Sequence, residues 1–169
     1  MGKRDSINRD DFQKLYEAHA DFAIRTAIAI TRNNEMAKDA VQETFIRVYR
    51  NYSSYDPNLP FEPWLYRILV NECHRLLKRE AKLSGYHHPY LENDPQVAEP
   101  SSENLAELIR TIQNLKDLYR IPLILKYIKG FSEQEIAEIL DINQNTVKSR
   151  LFTGRNRLRK LLDPARKEA

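Results

Sequence analysis

The feature that most constrains this fold is a helical spacing of apolar residues that is interrupted only once. Apolar residues recur at intervals of three and four on both sides of residues 83–100, and no alternating Val/Ile/Thr-rich run suggests a strand. The interrupting segment has three prolines and no apolar periodicity. The pattern predicts an all-α protein with two small helical domains, residues 1–82 and 101–169, joined by a flexible acidic linker.

Charge is distributed unevenly along the chain, although the total of +3 is modest. Residues 83–100 contain no Lys or Arg and three acids, whereas residues 147–169 contain eight basic and two acidic residues. Residues 67–82 are also locally basic. Two focused basic segments in a nearly balanced protein are typical of a defined nucleic-acid footprint.

Several functional classes are excluded by composition. The four glycines are well separated, which excludes a glycine-rich phosphate loop, and the single Cys73 allows neither an intramolecular disulfide nor a multi-cysteine metal site. The four histidines have no metal-ligand spacing, and no serine lies in a nucleophile-elbow context. We expect no metal, no cofactor and no enzymatic activity. Without an 18-residue apolar run or a signal peptide, we expect a cytoplasmic protein with no direct membrane insertion.

Start and stop signals predict the helix bounds. Residues 10–30 form the first helix, whose candidate buried residues are Phe12, Leu15, Tyr16, Phe22, Ile24 and Ile28. An Asn at position 33 or 34 caps the second helix, and a proline-started helix ends near Lys82. In the second domain Ser101 or Ser102 caps a helix that runs to about Leu115, and another helix runs from Asp117 to Lys129, where Gly130 provides a positive φ.

A helix-turn-helix is the strongest motif of the second domain. Ser132 and Glu135 have the spacing of a capping box, and a turn at residues 141–143 leads into a helix capped by Asn143. Gly is commoner than Asp141 in such a turn, but Asp tolerates the left-handed conformation. Gly154 inside the second helix costs about 1 kcal/mol relative to Ala, so close packing or approach to DNA must explain it.

The face opposite the apolar stripe of that helix is suited to DNA. Its candidate contacts are Asn145, Thr146, Lys148, Ser149, Phe152 and Arg155. Polar groups can bind base edges or phosphates, and the phenyl ring can contact a thymine methyl. Alternatively, a basic C-terminal helix only complements its own dipole. The outward Phe152 is a poor choice for plain solvation, which favours DNA binding.

Two further faces occur in the first domain. On the second helix, Asp39, Gln42, Glu43 and Ile46 form a stripe beside the core stripe, which suits a basic protein partner; a solvated acidic face is an equally open interpretation. The loop 51–60 and the following helix supply Tyr52, Tyr55, Trp64, Arg67, Asn71 and Lys78. Local core is the safer interpretation for any one ring, but aromatic rings combined with basic and amide groups on one surface can hold unstacked single-stranded bases.

Three sequence segments together resemble the extracytoplasmic-function (ECF) sigma factors of bacterial RNA polymerase. They are DAVQETFIRVY (39–49), FEPWLYRILVNE (61–72) and FSEQEIAEILDINQNTVKSRLFTGRNRLR (131–159). The resemblance implies that the first domain is sigma region 2 and the second is region 4. The stripe from Asp39 to Ile46 would then dock on core RNA polymerase, which favours the docking interpretation.

The same resemblance implies roles for the other two faces. The aromatic loop and the helix after it would open the minus-ten promoter element and capture a flipped base, while residues 144–156 would read the minus-thirty-five element in duplex DNA. Members of the family are commonly held by an anti-sigma factor, often membrane-bound, which is a further expected partner.

Two other classes remain as alternatives. A stand-alone, dimeric helix-turn-helix regulator would use the same recognition helix but leave the single-strand features of the first domain unexplained. A pure protein-interaction module would leave the basic C-terminal segment and the outward Phe152 unexplained.

Overall fold

The computed structural model describes residues 6–84 and 103–163, and within them all regular structure is helical. The chain divides into two compact units, one centred on three helices and the other on four. The first unit contains α1 (Arg9–Thr31), α2 (Asn34–Asn51) and α3 (Phe61–Ser84). The second contains α4 (Glu103–Gln113), α5 (Asp117–Leu123), residues 133–137 of α6 (Glu133–Leu140) and α7 (Gln144–Leu162). The all-α, two-domain prediction is confirmed.

The domain boundaries are not tested by this division. Helix α3 ends at Ser84, two residues beyond the predicted end of the first domain. The predicted linker falls almost entirely outside the described residues, as do the Ser101 and Ser102 candidates for the cap of α4.

Helix caps follow the sequence signals. The Asn33 side chain accepts a hydrogen bond from the Met36 amide at 2.9 Å, and the Asn143 side chain accepts one from the Asn145 amide at 2.7 Å. In the capping box the Glu135 amide donates to Ser132 Oγ at 3.1 Å, while the Ser132 amide donates to Glu135 Oε2 at 2.8 Å. These caps fix where α2, α6 and α7 begin.

The core of the first unit uses Ala23, Ala27 and Ile30 of α1 rather than its aromatic residues. Ala23 and Ala27 are fully buried, whereas Tyr16 and Phe22 are 42% and 45% exposed. The prediction that Tyr16 and Phe22 are core residues is therefore wrong: alanine lets neighbouring backbones approach closely, so α1 turns its alanine side inward. Helices α2 and α3 complete this core with Ala37, Val41, Phe45, Val48, Leu65, Tyr66, Leu69 and Cys73.

The predicted helix from Asp117 to Lys129 is a uniform α-helix only in its first part. After Leu123 the chain widens into a π-helical turn, Ile124–Ile128, in which the Lys129 amide donates to the Ile124 carbonyl at 3.3 Å. Pro122 just before it has no amide to donate to the Leu118 carbonyl, so the regular hydrogen-bond ladder is already broken there. Gly130 then ends the segment with φ of 81°, as predicted.

Gly154 is explained by close packing in the second unit. A Cβ at this position would lie 3.0 Å from Leu123 Cδ1 and 3.3 Å from Tyr119 Cβ. The glycine therefore lets α7 approach α5, on the side of α7 away from the predicted DNA face. The positive φ of 53° at Asp141 likewise agrees with the expectation for the turn between α6 and α7.

Candidate protein-docking and nucleic-acid faces

The first candidate face lies on α2 and on the groove between α1 and α2. This open groove has a volume of about 1050 Å³ and is lined mainly by apolar and aromatic side chains. Its rings pack edge to face, with centroids 4.8 Å apart for Tyr16 and Phe45 and 5.1 Å apart for Phe12 and Tyr49. An exposed aromatic groove of this size is typical of a surface that binds a protein segment.

Two of the four predicted docking residues of α2 line the groove, and the other two lie outside it. Gln42 and Ile46 line the groove, and Ile46 is 36% exposed. Asp39 is exposed outside the groove, and Glu43 forms an ion pair with Arg47 at 3.3 Å. The face therefore combines an apolar groove with an adjoining acidic edge.

The second candidate face begins with a cluster of aromatic rings. Tyr55 is at its centre, with ring centroids 5.8 Å from Tyr52, 5.4 Å from Phe61 and 5.2 Å from Trp64. His19 of α1 extends the cluster, 5.2 Å from Phe61. All three predicted rings, Tyr52, Tyr55 and Trp64, are half-buried and so combine packing with an open surface.

Tyr55 also has a local structural role in the loop 52–60. Its hydroxyl donates a 2.6 Å hydrogen bond to the Leu59 carbonyl, which fixes the loop ahead of α3. Burial is the main cause that raises the pKa of Tyr55, followed by neighbouring Tyr52 and Asp56. Tyr55 therefore supports the loop while Tyr52 and Trp64 flank it.

Arg67, Asn71 and Lys78 are exposed along one side of α3. At about 100° per residue, Arg67 and Lys78 lie within about 40° and 20° of Asn71 around the helix axis. Two cations and an amide thus form a continuous polar strip that starts beside Trp64. Such a strip with an aromatic platform can bind a nucleic-acid backbone and stack a base.

The third candidate face lies on α7. Asn145, Lys148 and Ser149 are exposed, and Phe152 is 62% exposed, while Thr146 and Arg155 are half-buried. Val147 and Leu151 on the opposite side are fully buried. The predicted division of α7 into core and outward faces is therefore confirmed for residues 145–155, whereas Leu161 and Leu162, which have the spacing of the same apolar stripe, are 41% and 37% exposed. DNA contact by the outward residues stays a prediction.

Tyr127 is a neighbour of this face that the sequence pattern does not reveal. It is 53% exposed on the π-helical turn, and its hydroxyl accepts a 3.0 Å hydrogen bond from Arg155 Nη1. The two residues are 28 positions apart in sequence, so only the tertiary structure brings them together. Arg155 is held at the edge of the α7 face by this contact.

Two classes of site receive no support from the described residues. No group of three or more His, Cys, Asp or Glu side chains in residues 6–84 and 103–163 could hold a metal ion. No helix in those same ranges is both long and apolar enough to span a bilayer.

Cys73 is fully buried, and burial raises its pKa to about 12.

These faces define a class: a helical protein with one docking groove, one surface suited to unstacked bases and one helix suited to a major groove. Family comparison agrees with this class. Residues 15–83 match the Sigma-70 region 2 family, and residues 105–158 match the Sigma-70 region 4 family.

Individual relatives narrow the assignment. The ECF RNA polymerase sigma factor SigW of Bacillus subtilis is 35% identical, with 92% of this chain and 90% of SigW covered. The ECF RNA polymerase sigma factor SigE of Mycolicibacterium smegmatis is 31% identical over 94% of this chain, but the match spans only 64% of SigE. The chain belongs to the sigma-70 family and, within it, to the ECF sigma factors.

Two solved structures with the same fold are complexes with a second protein. The sigma factor RpoE in complex with the anti-sigma factor NepR, from Bartonella quintana, matches with a TM-score of 0.78 and 25% identity, covering 90% of this chain and 97% of that chain. CnrH in complex with the cytosolic domain of CnrY matches with a TM-score of 0.70 and 26% identity, covering 93% and 90%.

Proposed function

We propose that this protein is the promoter-specificity subunit of a bacterial RNA polymerase. It binds the core enzyme, directs it to promoters, opens the DNA and so permits transcription to start. The observation that carries this proposal is the presence of both sigma-70 regions in one chain that covers 90% of SigW. It works in the cytoplasm, where the polymerase is, without catalytic chemistry or cofactor of its own.

Core polymerase docks on α2 through Asp39, Gln42, Glu43 and Ile46. The exposed carboxylate of Asp39 and the acidic edge that it shares with Glu43 suit a basic partner surface, while Ile46 and the adjoining groove supply apolar area. Charge complementarity steers the encounter, and apolar burial holds the complex.

The minus-ten element is bound by the first unit as single-stranded DNA. Tyr52 and Trp64 stack the unstacked bases on the platform supported by Tyr55, and the strip of Arg67, Asn71 and Lys78 binds the strand. Unstacking a base costs a few kcal/mol, so a protein that binds the unstacked form lowers the cost of melting.

The minus-thirty-five element is read as duplex by α7. Lys148, Ser149 and Phe152 reach base edges from the exposed face, with Asn145 beside them, while Thr146 and Arg155 bind phosphates. Because two weak DNA contacts are joined through one polymerase complex, neither needs high affinity. The free protein is therefore expected to bind promoter duplex weakly, with strong salt dependence.

An anti-sigma factor controls this protein by covering the groove between α1 and α2. One of the solved structures described above is a sigma factor in complex with an anti-sigma factor, and the other is CnrH in complex with the cytosolic domain of CnrY. The exposed aromatic groove offers the apolar surface that such a partner needs. Co-purification of an anti-sigma factor from cells, in the soluble or the membrane fraction, supports this control, whereas recovery of polymerase alone contradicts it.

The test mixes the full chain with core RNA polymerase and a pool of promoter fragments, and the transcripts are sequenced. The expected result is a set of reproducible start sites that share a two-part upstream motif. Asp39→Arg with Glu43→Arg abolishes both polymerase binding and these transcripts, because two attractive contacts become repulsive.

The control is a pair of charge reversals of the same size, Glu17→Arg with Glu107→Arg. Both side chains are exposed, neither is on α2 and neither lines the groove, so transcription is expected to persist. Retained duplex binding without polymerase association, and with two-fold operator symmetry, would instead identify a stand-alone dimeric regulator.

A further inference from the structure

Glu72 is a buried acid that neither the fold nor the proposed contacts account for. It is 3% exposed on α3, between the core and the polar strip. Its Oε1 lies 2.8 Å from Arg47 Nε of α2, and its Oε2 lies 2.8 Å from Arg75 Nε of α3. Each carboxylate oxygen therefore binds a different arginine, one on each helix.

The ion pairs continue in a row across the first unit. Arg47 Nε also lies 3.3 Å from Glu43 Oε1, so the order is Glu43, Arg47, Glu72 and Arg75. One end of this row is on the docking edge of α2. The other end is Arg75, whose side chain is 48% exposed.

Arg75 lies on the same side of α3 as the polar strip. At about 100° per residue it is about 40° from Asn71 and about 60° from Lys78 around the helix axis. Its bond to Glu72 uses Nε, and a guanidinium carries four more N–H donors on its two terminal nitrogens. A half-exposed arginine with its inner edge fixed is thus presented beside the strip.

Fixing an arginine in this way favours binding to phosphate. A free arginine loses much side-chain entropy when it binds, and a prior bond at Nε removes part of that loss. The planar guanidinium matches phosphate oxygens through paired hydrogen bonds. A buried carboxylate cannot itself approach a DNA strand, so its effect on DNA must pass through Arg75.

We propose that Arg75 is a further promoter-DNA contact, to a phosphate of the strand bound by α3, and that Glu72 is its positioning residue, anchored from α2 by Arg47. This assignment rests on the proposed sigma function. It adds a cation to the strip and explains why an acid is buried next to a nucleic-acid face.

The experiment measures the affinity of the polymerase complex for a promoter fragment over a range of salt concentrations. Arg75→Gln is expected to weaken binding about fivefold to tenfold and to lower the slope of log affinity against log salt by about one phosphate contact. Arg25→Gln, which removes an exposed arginine of α1, is the matched control and is expected to leave both unchanged.

Epistasis separates positioning from a purely structural role. Glu72→Gln keeps the shape of the side chain but removes its charge, and is expected to weaken DNA binding less than Arg75→Gln does. In the double variant the loss equals that of Arg75→Gln alone, because Glu72 acts through Arg75. Affinity for core polymerase is expected to be unchanged in Arg75→Gln, because Arg75 contacts Glu72 and not Arg47 or Glu43.

Arg75→Lys keeps the test decisive if Glu72→Gln fails to fold. It retains the charge and therefore the salt slope, but the lysine lacks the Nε anchor and binds the promoter more weakly. If the double variant loses the DNA affinity lost in Glu72→Gln in addition to that lost in Arg75→Gln, Glu72 does not act through Arg75 and the positioning role is overturned. An unchanged salt slope in Arg75→Gln overturns the contact.

The experiment separates a missing Arg75 contact from a missing sigma function. If the unmodified chain gives no promoter binding with core polymerase, the sigma function fails. If it binds the promoter and Arg75→Gln behaves like Arg25→Gln, only the contact between Arg75 and the promoter is ruled out.

Discussion

The two units of this protein reach a stable helical fold by different means. In the first unit the core contains polar and ionisable groups, including the buried Glu72 with its two arginines and the buried Tyr66. In the second unit the approach of α7 to α5 depends on the absence of a side chain at Gly154. Ring clusters and a row of ion pairs across two helices occur in the first unit, whereas a tight glycine contact between two helices occurs in the second, which also buries Arg120 beside Asp117.

This difference matches the forms of DNA that we assign to the units. Holding unstacked bases requires rings and cations supplied by a loop and a helix together, so the first unit must fix several side chains at once. Reading a duplex requires one rigid helix with a single outward face, which the packing around Gly154 provides. Single substitutions can therefore disturb one unit and leave the other intact.

The first prediction concerns Cys73, the single thiol of the chain and a probe of the first unit alone. Burial raises its pKa from 9.0 to about 12, with a smaller contribution from Glu72. A thiol whose pKa is about three higher has about a thousandfold less thiolate at neutral pH. We expect alkylation at pH 8 to be slow in the native protein and fast in 6 M guanidinium. Rapid alkylation of Cys73 in the native protein would contradict its burial in the core of the first unit.

The same ionisations predict how the stability of the first unit changes with pH. Burial also raises the pKa of Tyr66 from 10.0 to about 12. Both groups therefore ionise more easily in the unfolded chain, so their contribution to stability is complete below about pH 9 and is lost as the pH rises towards 12. Urea unfolding followed by Trp64 fluorescence at pH 8 and pH 10.5 measures this loss, and Tyr66→Phe should reduce it.

The second prediction concerns Gly154. Gly154→Val inserts a branched side chain where even a Cβ lies 3.0 Å from Leu123, and overpacking of this kind costs about 1–3 kcal/mol. Hydrogen exchange of amides in α5 and α7 should accelerate. Ser149→Val on the exposed face of α7 is the control for β-branching alone, and equal effects of the two variants would argue against the packing role.

The third prediction concerns Phe152, the exposed large apolar residue of the proposed duplex-reading face. Phe152→Ala should weaken binding of the polymerase complex to the minus-thirty-five element about tenfold, since a contact with a base edge is worth about 1–3 kcal/mol. The thermal stability of the Phe152→Ala variant should hardly change, because the ring is 62% exposed in the unmodified protein. A large loss of stability with unchanged DNA binding would mean that the ring serves packing instead.

The fourth and smallest prediction concerns Tyr127. Tyr127→Phe removes the hydroxyl that binds Arg155 at 3.0 Å but keeps the ring. We expect promoter affinity to fall about twofold, because one exposed hydrogen bond contributes little and Arg155 retains its charge. Titration of promoter fragments at low salt detects this change, and the effect should disappear in an Arg155→Gln background.

Local features of the fold are predictable from sequence because they depend on neighbouring residues. The caps at Asn33 and Asn143, the capping box at Ser132 and the positive φ at Gly130 each need only a short segment of chain. The outward face of α7 is likewise set by helical periodicity.

Features that depend on tertiary partners are not predictable in this way. The inward side of α1 follows Ala23 rather than Phe22, because the distance between helices decides which face is buried. Glu72 appears on a helix surface by periodicity alone, and its burial depends on Arg47 of another helix. The contact of Tyr127 with Arg155 depends on the π-helical turn, for which the sequence has no clear signal.

The most direct test of the central claim compares fully paired and pre-melted promoters. Trp64→Ala with Asn71→Ala should reduce transcription at least about tenfold on duplex promoter, since stacking is worth about 1–3 kcal/mol per base. A template with an unpaired minus-ten region should restore much of it, because melting is no longer required. Phe152→Ala should remain impaired on both templates. Equal rescue of both variants, or of neither, would contradict the assignment of single-stranded DNA to the first unit and duplex DNA to the second.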